Sequence, residues 1–368
     1  MAAPETAEVV IVGGGAMGAS AAFHLANLGV QKVVLVERES LASGSTSKSA
    51  GGIRAQFADE LNVRIALRSM AEFESLDRVS GIEYKRHGYL FLLTKEDEVE
   101  GFRAAVALQQ RLGVPSRLIT PDDVEAMIPA LEPSDLLAAA YCPIDGHASP
   151  ESVVQAYAAA ASAHGVRILQ GTTLDGISVS GDEIVGVETS AGPIRTGTVV
   201  CAAGVWSEEV GNLAGIDIPV HGEARWMHFT PEDGGLPQEL PLTIDFATGF
   251  YFHREGAGLV FGGREPTIEE VATHGTRRLP LLADLPIQSS WWGFYEMSPD
   301  HNAIVGEASE PRRFLYATGF SGHGFQQAPA VGEHLAELVA GAEPSLDLSP
   351  LSLDRFARGG ERHERFVV

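Results

Sequence analysis

The chain is poor in cysteine. Among its 368 residues it has two, Cys142 and Cys201, which lie too far apart for a metal-ligand or redox pair. The sequence therefore predicts two buried thiols in a reducing compartment, no structural disulfide and no metal site.

Basic residues are also scarce. Lys and Arg number 26 against 49 Asp and Glu, which leaves a formal net charge of -23. A surface of this sign repels phosphate backbones and anionic lipid headgroups. Nucleic acid and membrane surfaces are therefore not expected as partners.

Long hydrophobic runs are missing as well. The most apolar stretch near the N-terminus, residues 9–23, is interrupted by four glycines and a serine, and no basic segment precedes it. This pattern fits neither a signal peptide nor a membrane span, and a cytoplasmic location is expected.

The composition is that of a packed globular protein. Hydrophobic residues make up 45% and charged residues 20% of the chain. At roughly 150 residues per domain, the length predicts two to three folding units with room for a bound cofactor.

A glycine motif opens the chain. The β-branched run Val9–Val12 is followed by Gly13, Gly15 and Gly18 in the pattern G-x-G-x-x-G, and then by a helical stretch from Ala16 to Leu28. In a strand-turn-helix unit these glycines permit a tight turn, the approach of a pyrophosphate and close helix packing. The motif predicts a dinucleotide site, with a plain glycine-rich turn as the alternative.

A second strand, Val33–Val36, ends in Glu37. A carboxylate at this place accepts hydrogen bonds from the adenosine ribose and repels a 2′-phosphate, so NADP is disfavoured. The small-residue loop from Gly44 to Arg54 comes next and is too polar for a core and too rich in glycine for a helix. Such a loop lets a bulky ligand touch the backbone.

Further elements alternate along the chain. Helices are predicted over about 59–76, 97–112, 150–164 and 326–340, and strands over 89–93, 166–169, 176–179, 184–189, 199–202, 225–230, 249–253, 259–262 and 314–317. The loop Gly319–Phe325 precedes the helix expected to be last, in which Pro329 is tolerable in the first turn.

Seven segments in this order resemble the D-amino acid oxidase/sarcosine oxidase superfamily of FAD enzymes, most closely its sarcosine oxidase branch of monomeric and β-subunit type. The segments are 13–18 with 37–38, 44–54, 145–147, 203–206, 249–251, 295–300 and 319–325. The resemblance implies an α/β plus α+β architecture: a Rossmann-like FAD-binding domain of glutathione-reductase type and a second, antiparallel-sheet substrate domain. It assigns residues 1–83, 145–214 and 305–368 to the first domain and 84–144 and 215–304 to the second.

The resemblance also implies a set of cofactor-binding residues. These are Gly13, Gly15, Ala16, Met17, Gly18, Glu37, Arg38, Gly44, Ser45, Thr46, Ser49, Ala50, Gly51, Gly52, Leu174, Ala203, Gly204, Trp206, Gly319, Gly322, His323, Gly324, Phe325 and Gln326. The positive end of the helix after Gly319 would face the pyrimidine side of the flavin, where negative charge develops on reduction. Simple helix capping is the alternative for that loop.

Substrate binding is assigned by the resemblance to Arg54, whose guanidinium offers a bidentate fork to a carboxylate. Gln326 stands where monomeric sarcosine oxidase has a second, lysine ligand of that carboxylate, and it donates without charge. Tyr251 and Tyr295 are expected on the substrate side of the flavin. A structural ion pair for the arginine and core packing for the tyrosines are the alternatives.

Three further positions depart from the family pattern. Val260 stands where monomeric sarcosine oxidase has the lysine that promotes reaction with O2, so that Arg264 or His323 would have to supply the cation; both are equally compatible with a structural role. Gly293 and Lys48 stand where relatives attach FAD through a cysteine or a histidine, which implies non-covalent FAD.

The expected reaction is hydride transfer from the carbon next to an amine, in an amino acid or secondary amine, to the flavin, with hydrolysis of the resulting imine. O2 or another molecule takes the electrons, and a homo-oligomer or a partner subunit is compatible with the sequence. Three alternatives stay open: a flavin subunit that reduces an acceptor other than O2, an NAD(P)H-dependent aromatic hydroxylase, for which no second glycine-rich phosphate loop is present, and a protein that binds without chemistry.

Overall fold

The structure is a computed structural model that describes residues 5–265 and 267–366. Its strands, in chain order, are β1 (Glu5–Thr6), β2 (Val9–Val12), β3 (Val33–Val36), β4 (Gly52–Ile53), β5 (Tyr89–Leu93), β6 (Arg117–Ile119), β7 (Ala138–Cys142), β8 (Gly146–His147), β9 (Arg167–Leu169), β10 (Leu174–Ser180), β11 (Glu183–Thr189), β12 (Ile194–Arg195), β13 (Val199–Cys201), β14 (His221–Thr230), β15 (Leu242–Asp245), β16 (Tyr251–Glu255), β17 (Gly258–Gly262), β18 (Ser289–Met297), β19 (Ile304–Glu307) and β20 (Phe314–Thr318). The α-helices are α1 (Ala16–Asn27), α2 (Glu60–Ser80), α3 (Glu96–Arg111), α4 (Pro121–Met127), α5 (Pro150–Ala163), α6 (Ser207–Leu213), α7 (Ile268–Arg278), α8 (Gly324–Ala340) and α9 (Asp354–Ala357).

A six-stranded sheet in the order β19-β20-β13-β2-β3-β9 carries the N-terminal motif. Its strands are parallel except for the antiparallel pair β19/β20. Every residue of β2 and β3 is buried, which explains their continuous β-branched sequence, because helices cover a parallel sheet on both faces. Helices α1, α5 and α8 pack together beside it.

Helices α1 and α8 approach each other closely at Gly332. A Cβ atom placed there would lie 2.2 Å from Ser20 Oγ and 2.8 Å from Ala21 N. Only glycine allows this separation of the two helix axes. The contact fixes α1, which begins within the glycine motif, against α8, which follows β20.

An eight-stranded sheet in the order β18-β14-β17-β16-β15-β5-β7-β6 forms the second large layer. The expectation of an antiparallel sheet is correct for all neighbours except β15 and β5, which run parallel. Strand β15 enters from a distant part of the chain and pairs in parallel with β5, so the sheet is mixed. Two smaller sheets, β1-β12-β11-β10 and β4-β8, complete the fold.

The expected α/β plus α+β architecture is confirmed, with small corrections to its elements. Helix α8 begins at Gly324, two residues before the expected start, and is not the last helix, because α9 follows. Pro329 therefore lies inside α8 and not in its first turn. The N–H of Ala330 donates to Ser69 Oγ of α2 at 3.2 Å beside this interruption of the helical hydrogen bonds.

Both cysteines are buried free thiols, as the sequence predicts. Among the helices in the described part of the chain, none is long and apolar enough to cross a membrane. The domain boundaries stay a prediction.

Candidate active site

The glycines of the N-terminal motif form a cradle at the start of α1. Gly13 has φ +109°, and a Cβ there would lie 2.3 Å from Ala202 O. A Cβ at Gly18 would lie 1.9 Å from Gly13 O, whereas one at Gly15 would meet only Thr46 Oγ1, at 3.0 Å. The fold itself thus requires glycine at Gly13 and Gly18. Gly15 leaves a small open space in front of the helix N-terminus.

The polar groups around this cradle suit a dinucleotide. Glu37 accepts the N–H of Gly14 at 2.7 Å and the N–H of Glu39 at 2.8 Å through its two carboxylate oxygens. Thr46 Oγ1 accepts the N–H of Ala16 at 3.1 Å. Each carboxylate oxygen keeps a lone pair for a ribose hydroxyl, so the donor and acceptor set fits the adenosine half of FAD.

The other predicted cofactor residues lie at the same edge of the six-stranded sheet. Strands β2, β3, β13 and β20 are parallel and end just before the four predicted segments, which begin at Gly13, Glu37, Ala203 and Gly319. Ligands bind at this carboxyl edge in open α/β sheets. Leu174 starts β10, two residues after Thr172, whose N–H donates to Glu37 O at 2.9 Å.

The loop 44–52 joins this edge to the second sheet. Ser45 Oγ donates to Phe294 O of β18 at 2.7 Å, and Ser49 Oγ donates to Thr46 O at 3.0 Å. Gly51 has φ +66°, and a Cβ there would lie 2.1 Å from Ala148 O. Gly51 therefore allows the close contact between this loop and the backbone at Ala148. Gly44 faces Trp206, and the remaining members of the predicted set in this loop are Ala50 and Gly52.

Trp206 and Arg38 also stack at the cofactor edge. The guanidinium carbon of Arg38 lies 3.9 Å from the centre of the Trp206 ring. Trp206 belongs to the short 3₁₀ turn Gly204–Trp206 after β13. Arg38 follows Glu37 directly, so the pair links the turn after β13 to the chain that leaves β3.

A second helix N-terminus faces the same region. Gly319 and Gly322 have φ +68° and +92°, and they lead into α8. The first three residues of this helix are Gly324, Phe325 and Gln326. Over the described residues, neither N-cap residue, Gly15 of α1 or His323 of α8, makes a side-chain cap hydrogen bond, and neither helix has an acidic residue in its first turn; at α1, Thr46 takes only the N–H of Ala16. Both ends keep their positive dipole for another partner.

Arg54 is buried just after β4, where the chain's own groups occupy its guanidinium. Nη2 donates to Phe366 O at 2.7 Å and lies 2.9 Å from His323 Nε2, while Nη1 donates to Gln56 O. The guanidinium also lies over the ring of Phe57, 4.2 Å from its centre. Burial lowers the pKa of Arg54, but an arginine remains charged.

Gln326 and His323 both serve Arg54. Gln326 Oε1 accepts the backbone N–H of Arg54 at 2.8 Å. Burial and the neighbouring charge of Arg54 lower the pKa of His323 well below its usual range. His323 is therefore neutral and, because arginine only donates, accepts from Arg54. A neutral His323 offers no cation here, and the role of substitute cation that the sequence left open stays a prediction.

Three tyrosines gather near Arg54, two of them predicted. Tyr251 Oη would lie 2.6 Å from a Cβ at Gly262, and the Tyr295 ring would lie 2.6 Å from a Cβ at Gly322. Tyr89, which the sequence analysis treated only as part of a strand, was missed; its hydroxyl faces Gly52. Burial raises the pKa of all three, so they remain hydroxyl donors.

Cations surround the tyrosine group. Arg225 on β14 was also missed, and its guanidinium carbon lies 5.0 Å from the centre of the Tyr295 ring. Arg264 is exposed and packs its side chain against Gly249. The signal that could have pointed to Arg225 is its charge directly before the largely apolar run Trp226–Phe229. Tyr89 gives a weaker signal, because tyrosine is common in strands.

Asp145 holds the segment that carries Arg54. Its Oδ1 accepts the N–H of Ala55 at 2.9 Å, and its Oδ2 accepts from Gln56 Nε2 at 3.2 Å. Burial raises the pKa of Asp145 to about 6. Asp145 thus positions Arg54 through the two residues that follow it and leaves the guanidinium to other acceptors.

Glu296 lies on β18 beside the cofactor edge. Thr318 Oγ1 donates to Glu296 Oε2 at 3.0 Å, and the same hydroxyl lies 3.0 Å from Gly204 O. Burial raises the pKa of Glu296 to about 7 despite the hydrogen bond from Thr318. In the sequence, Glu296 stands out only as a member of the segment 295–300.

Comparisons with known proteins agree with this arrangement. The family model described as DAO, FAD dependent oxidoreductase, matches residues 8–338. Mitochondrial sarcosine dehydrogenase from Homo sapiens is 29% identical over 394 residues, an alignment that covers 99% of this chain and 43% of that protein. The chain thus spans less than half the length of the curated dehydrogenase it matches.

Two solved structures are similar over almost the whole chain. L-proline dehydrogenase from P. horikoshii is 35% identical, has a TM-score of 0.93, and the match covers 98% of this chain and 100% of that one. Glycine oxidase from Geobacillus kaustophilus is 25% identical with a TM-score of 0.85, and the match covers 95% of this chain and 99% of that one.

Proposed function

The chain belongs to the DAO family of FAD-dependent oxidoreductases, and from this premise we propose that it oxidises the carbon–nitrogen bond of a small amino acid or secondary amine that carries a carboxylate. FAD is its cofactor and, when bound, supplies the acceptor for the hydride from the carbon next to nitrogen. Water then hydrolyses the imine product. The similar proteins named as acting on sarcosine, proline and glycine support a substrate of this class.

Arg54 is the observation that carries the proposal. It is a buried arginine whose guanidinium is fixed from behind by Asp145 and Gln326 through the neighbouring backbone. At its front, one acceptor is a backbone carbonyl, Phe366 O. We infer that a substrate carboxylate replaces this carbonyl, because two charge-assisted hydrogen bonds are stronger than one bond to a neutral acceptor.

The tyrosines and cations fit the remaining requirements. Hydride transfer needs a neutral amine, and the positive field of Arg54, Arg225 and Arg264 favours loss of the ammonium proton. Tyr251, which is buried, and Tyr295, which is half-buried, supply hydroxyls and aromatic surface that orient the substrate and exclude water. We assign no residue as a general base.

Several finer features belong to the same proposal. FAD is bound without a covalent link, since Gly293 has no side chain and Lys48 packs its Cβ region against it. The two buried free thiols suit a reducing compartment such as the cytoplasm. The boundaries given above divide the chain into the FAD-binding and substrate-binding domains.

A second candidate function is amine dehydrogenation within a larger complex. Val260, which is 4% exposed, offers no cation to stabilise reduced oxygen species. The edge strand β18 presents Trp292 at 46% exposure, a large apolar side chain that a partner subunit would cover. Size-exclusion chromatography and turnover with O2 against an artificial dye distinguish the two candidates.

The main experiment mixes the yellow protein anaerobically with a panel of N-methyl, cyclic and primary amino acids and follows bleaching of the visible flavin band. Each reactive amino acid is paired with its carboxamide. Arg54→Met is expected to slow reduction by the acid far more than reduction by the amide, because only the acid loses a charged partner. Arg117→Met, an exposed arginine that lies over Tyr141, is the matched control.

The experiment tests the assignment of Arg54 and the proposed amine oxidation separately. A preference for the acid that survives Arg54→Met contradicts the assignment of Arg54 but leaves amine oxidation standing. Failure of every amine to bleach the flavin contradicts the proposed function itself.

A further inference from the structure

Two histidines and a glutamate come together where the hairpin β4-β8 meets the eight-stranded sheet. His147 lies on β8, and His253 and Glu255 lie on β16. Their potential ligand atoms all lie within 4.8 Å of one another, and no other such group of His, Cys, Asp or Glu is found among residues 5–265 and 267–366. His147 lies far along the chain from His253 and Glu255, and the expectation of no metal rested on the spacing of the two cysteines alone.

The ring of His253 is in the state that metal binding needs. It is 2% exposed, and its Nδ1 lies 3.0 Å from Arg254 O, to which it donates. This bond leaves Nε2 with the lone pair, and Nε2 has no hydrogen-bond partner although it is buried. A ligating histidine typically donates its other ring N–H to a backbone carbonyl in this way. The Ala50 carbonyl also faces the ring but completes no hydrogen bond with Nε2.

His147 completes the pair of imidazoles. It is 3% exposed, and the centre of its ring lies 4.4 Å from that of His253. Burial lowers the pKa of both rings, His147 to about 2 and His253 to about 4, so both are neutral. The nearby ammonium of Lys85 is paired with Glu83, 3.9 Å away.

Glu255 supplies the negative charge and an opening to solvent. It lies at the exposed end of β16, whereas both histidines are buried. Two neutral imidazoles and one carboxylate form a donor set that suits Zn²⁺, whose ligand distances of about 2.0–2.2 Å require the three atoms to close by small side-chain rotations. A water molecule would complete a tetrahedral site.

We propose that His147, His253 and Glu255 bind one divalent transition-metal ion, with Zn²⁺ as the probe of choice. The site joins β8 to β16. Because His147 pairs with Gly52 of β4 and Arg54 follows that strand directly, the ion would fix the strand that positions Arg54. This role is structural and independent of the amine oxidation proposed above.

Isothermal titration tests the site on the flavoprotein, prepared without a histidine tag and freed of metal with a chelator. We expect one Zn²⁺ per chain with a dissociation constant in the micromolar range or below, a melting temperature that rises with Zn²⁺, and no binding of Mg²⁺, which prefers oxygen ligands. His253→Gln and Glu255→Gln should each weaken Zn²⁺ binding at least tenfold.

His164→Ala is the control, because His164 is exposed at the end of α5 and its loss should leave the affinity unchanged. Glu255 is exposed, so its variant tests the site even if the buried His253 variant fails to fold. An absence of saturable Zn²⁺ binding, or equal affinity in wild type and Glu255→Gln, overturns the proposal.

Discussion

Replacing Gly15 by alanine separates a glycine kept for the cofactor from glycines kept for the fold. Gly15 has φ −79°, which alanine adopts freely, and its added Cβ would touch only Thr46 Oγ1 at 3.0 Å. At Gly18 the same Cβ would lie 1.9 Å from a backbone oxygen. We therefore expect Gly15→Ala to fold and Gly18→Ala to fail.

The size of the effect follows from what the methyl group displaces. It would occupy the space in which a phosphate approaches the N-terminus of α1. Loss of one charge-assisted hydrogen bond costs about 1.5–3 kcal/mol, which corresponds to FAD binding weaker by about 10- to 150-fold. The free energy of unfolding of the apoprotein should change by less than about 1 kcal/mol, because Thr46 needs to move by only a few tenths of an ångström.

The assay titrates FAD into apoprotein and follows tryptophan fluorescence, to which Trp206 at the cofactor edge contributes. Urea unfolding of the same apoprotein gives its stability. Gly101→Ala is the matched control: Gly101 is exposed in α3, and an added Cβ would meet nothing within 4 Å. It should leave FAD affinity unchanged and stabilise the helix by about 0.5–1 kcal/mol.

Two results would refute this reasoning. Gly15→Ala that binds FAD as tightly as wild type would show that no phosphate approaches this glycine. An unfolded Gly15→Ala apoprotein would show that Gly15, like Gly18, serves the fold.

Three further predictions concern other parts of the site and its support. Arg54→Lys keeps the charge but loses the fork, so KM for a carboxylated substrate should rise about tenfold or more in steady-state assays, with little change for the matching amide. Glu296 has a pKa of about 7 in the folded protein against a usual 4.5. The contribution of this group to the free energy of unfolding is therefore full below pH 4.5 and is lost as pH rises through 7. In urea unfolding, Glu296→Gln should raise the free energy of unfolding relative to wild type by about 1–3 kcal/mol at pH 8 and by almost nothing at pH 4. Asp300→Asn should cost about 3–5 kcal/mol in urea unfolding at pH 7, because it breaks the buried ion pair in which Arg355 Nε and Nη2 each donate to Asp300 at 2.8 Å; an equal loss for exposed Asp354→Asn would contradict the role of burial.

The parts of this protein that could be predicted from sequence are those set by neighbours in the chain. The strand, turn and helix around Gly13 and the acid at Glu37 follow from patterns shorter than a βαβ unit, and the structure has them within a residue or two. Asp59 at the start of α2 belongs to the same class, since its side chain caps residues only two and three positions ahead.

The parts that could not be predicted depend on pairing between distant strands. Arg225 reaches Tyr295 because β14 pairs with β18, where Arg225 stands opposite Gly293. Tyr89 reaches Arg54 through the order of the mixed sheet, and no local pattern fixes that order or the parallel pairing of β5 with β15. The neutral state of His323 likewise follows from burial, which composition does not reveal.

The close contact at Gly332 couples α1 and α8 into one rigid pair of helices. One end of each helix points at the cofactor edge, so the adenine-side and ring-side supports move together instead of hinging apart. A methyl group at Gly332 would push the two helices apart. The distance between their N-termini, which the cofactor spans, would then change although each binding loop remained intact.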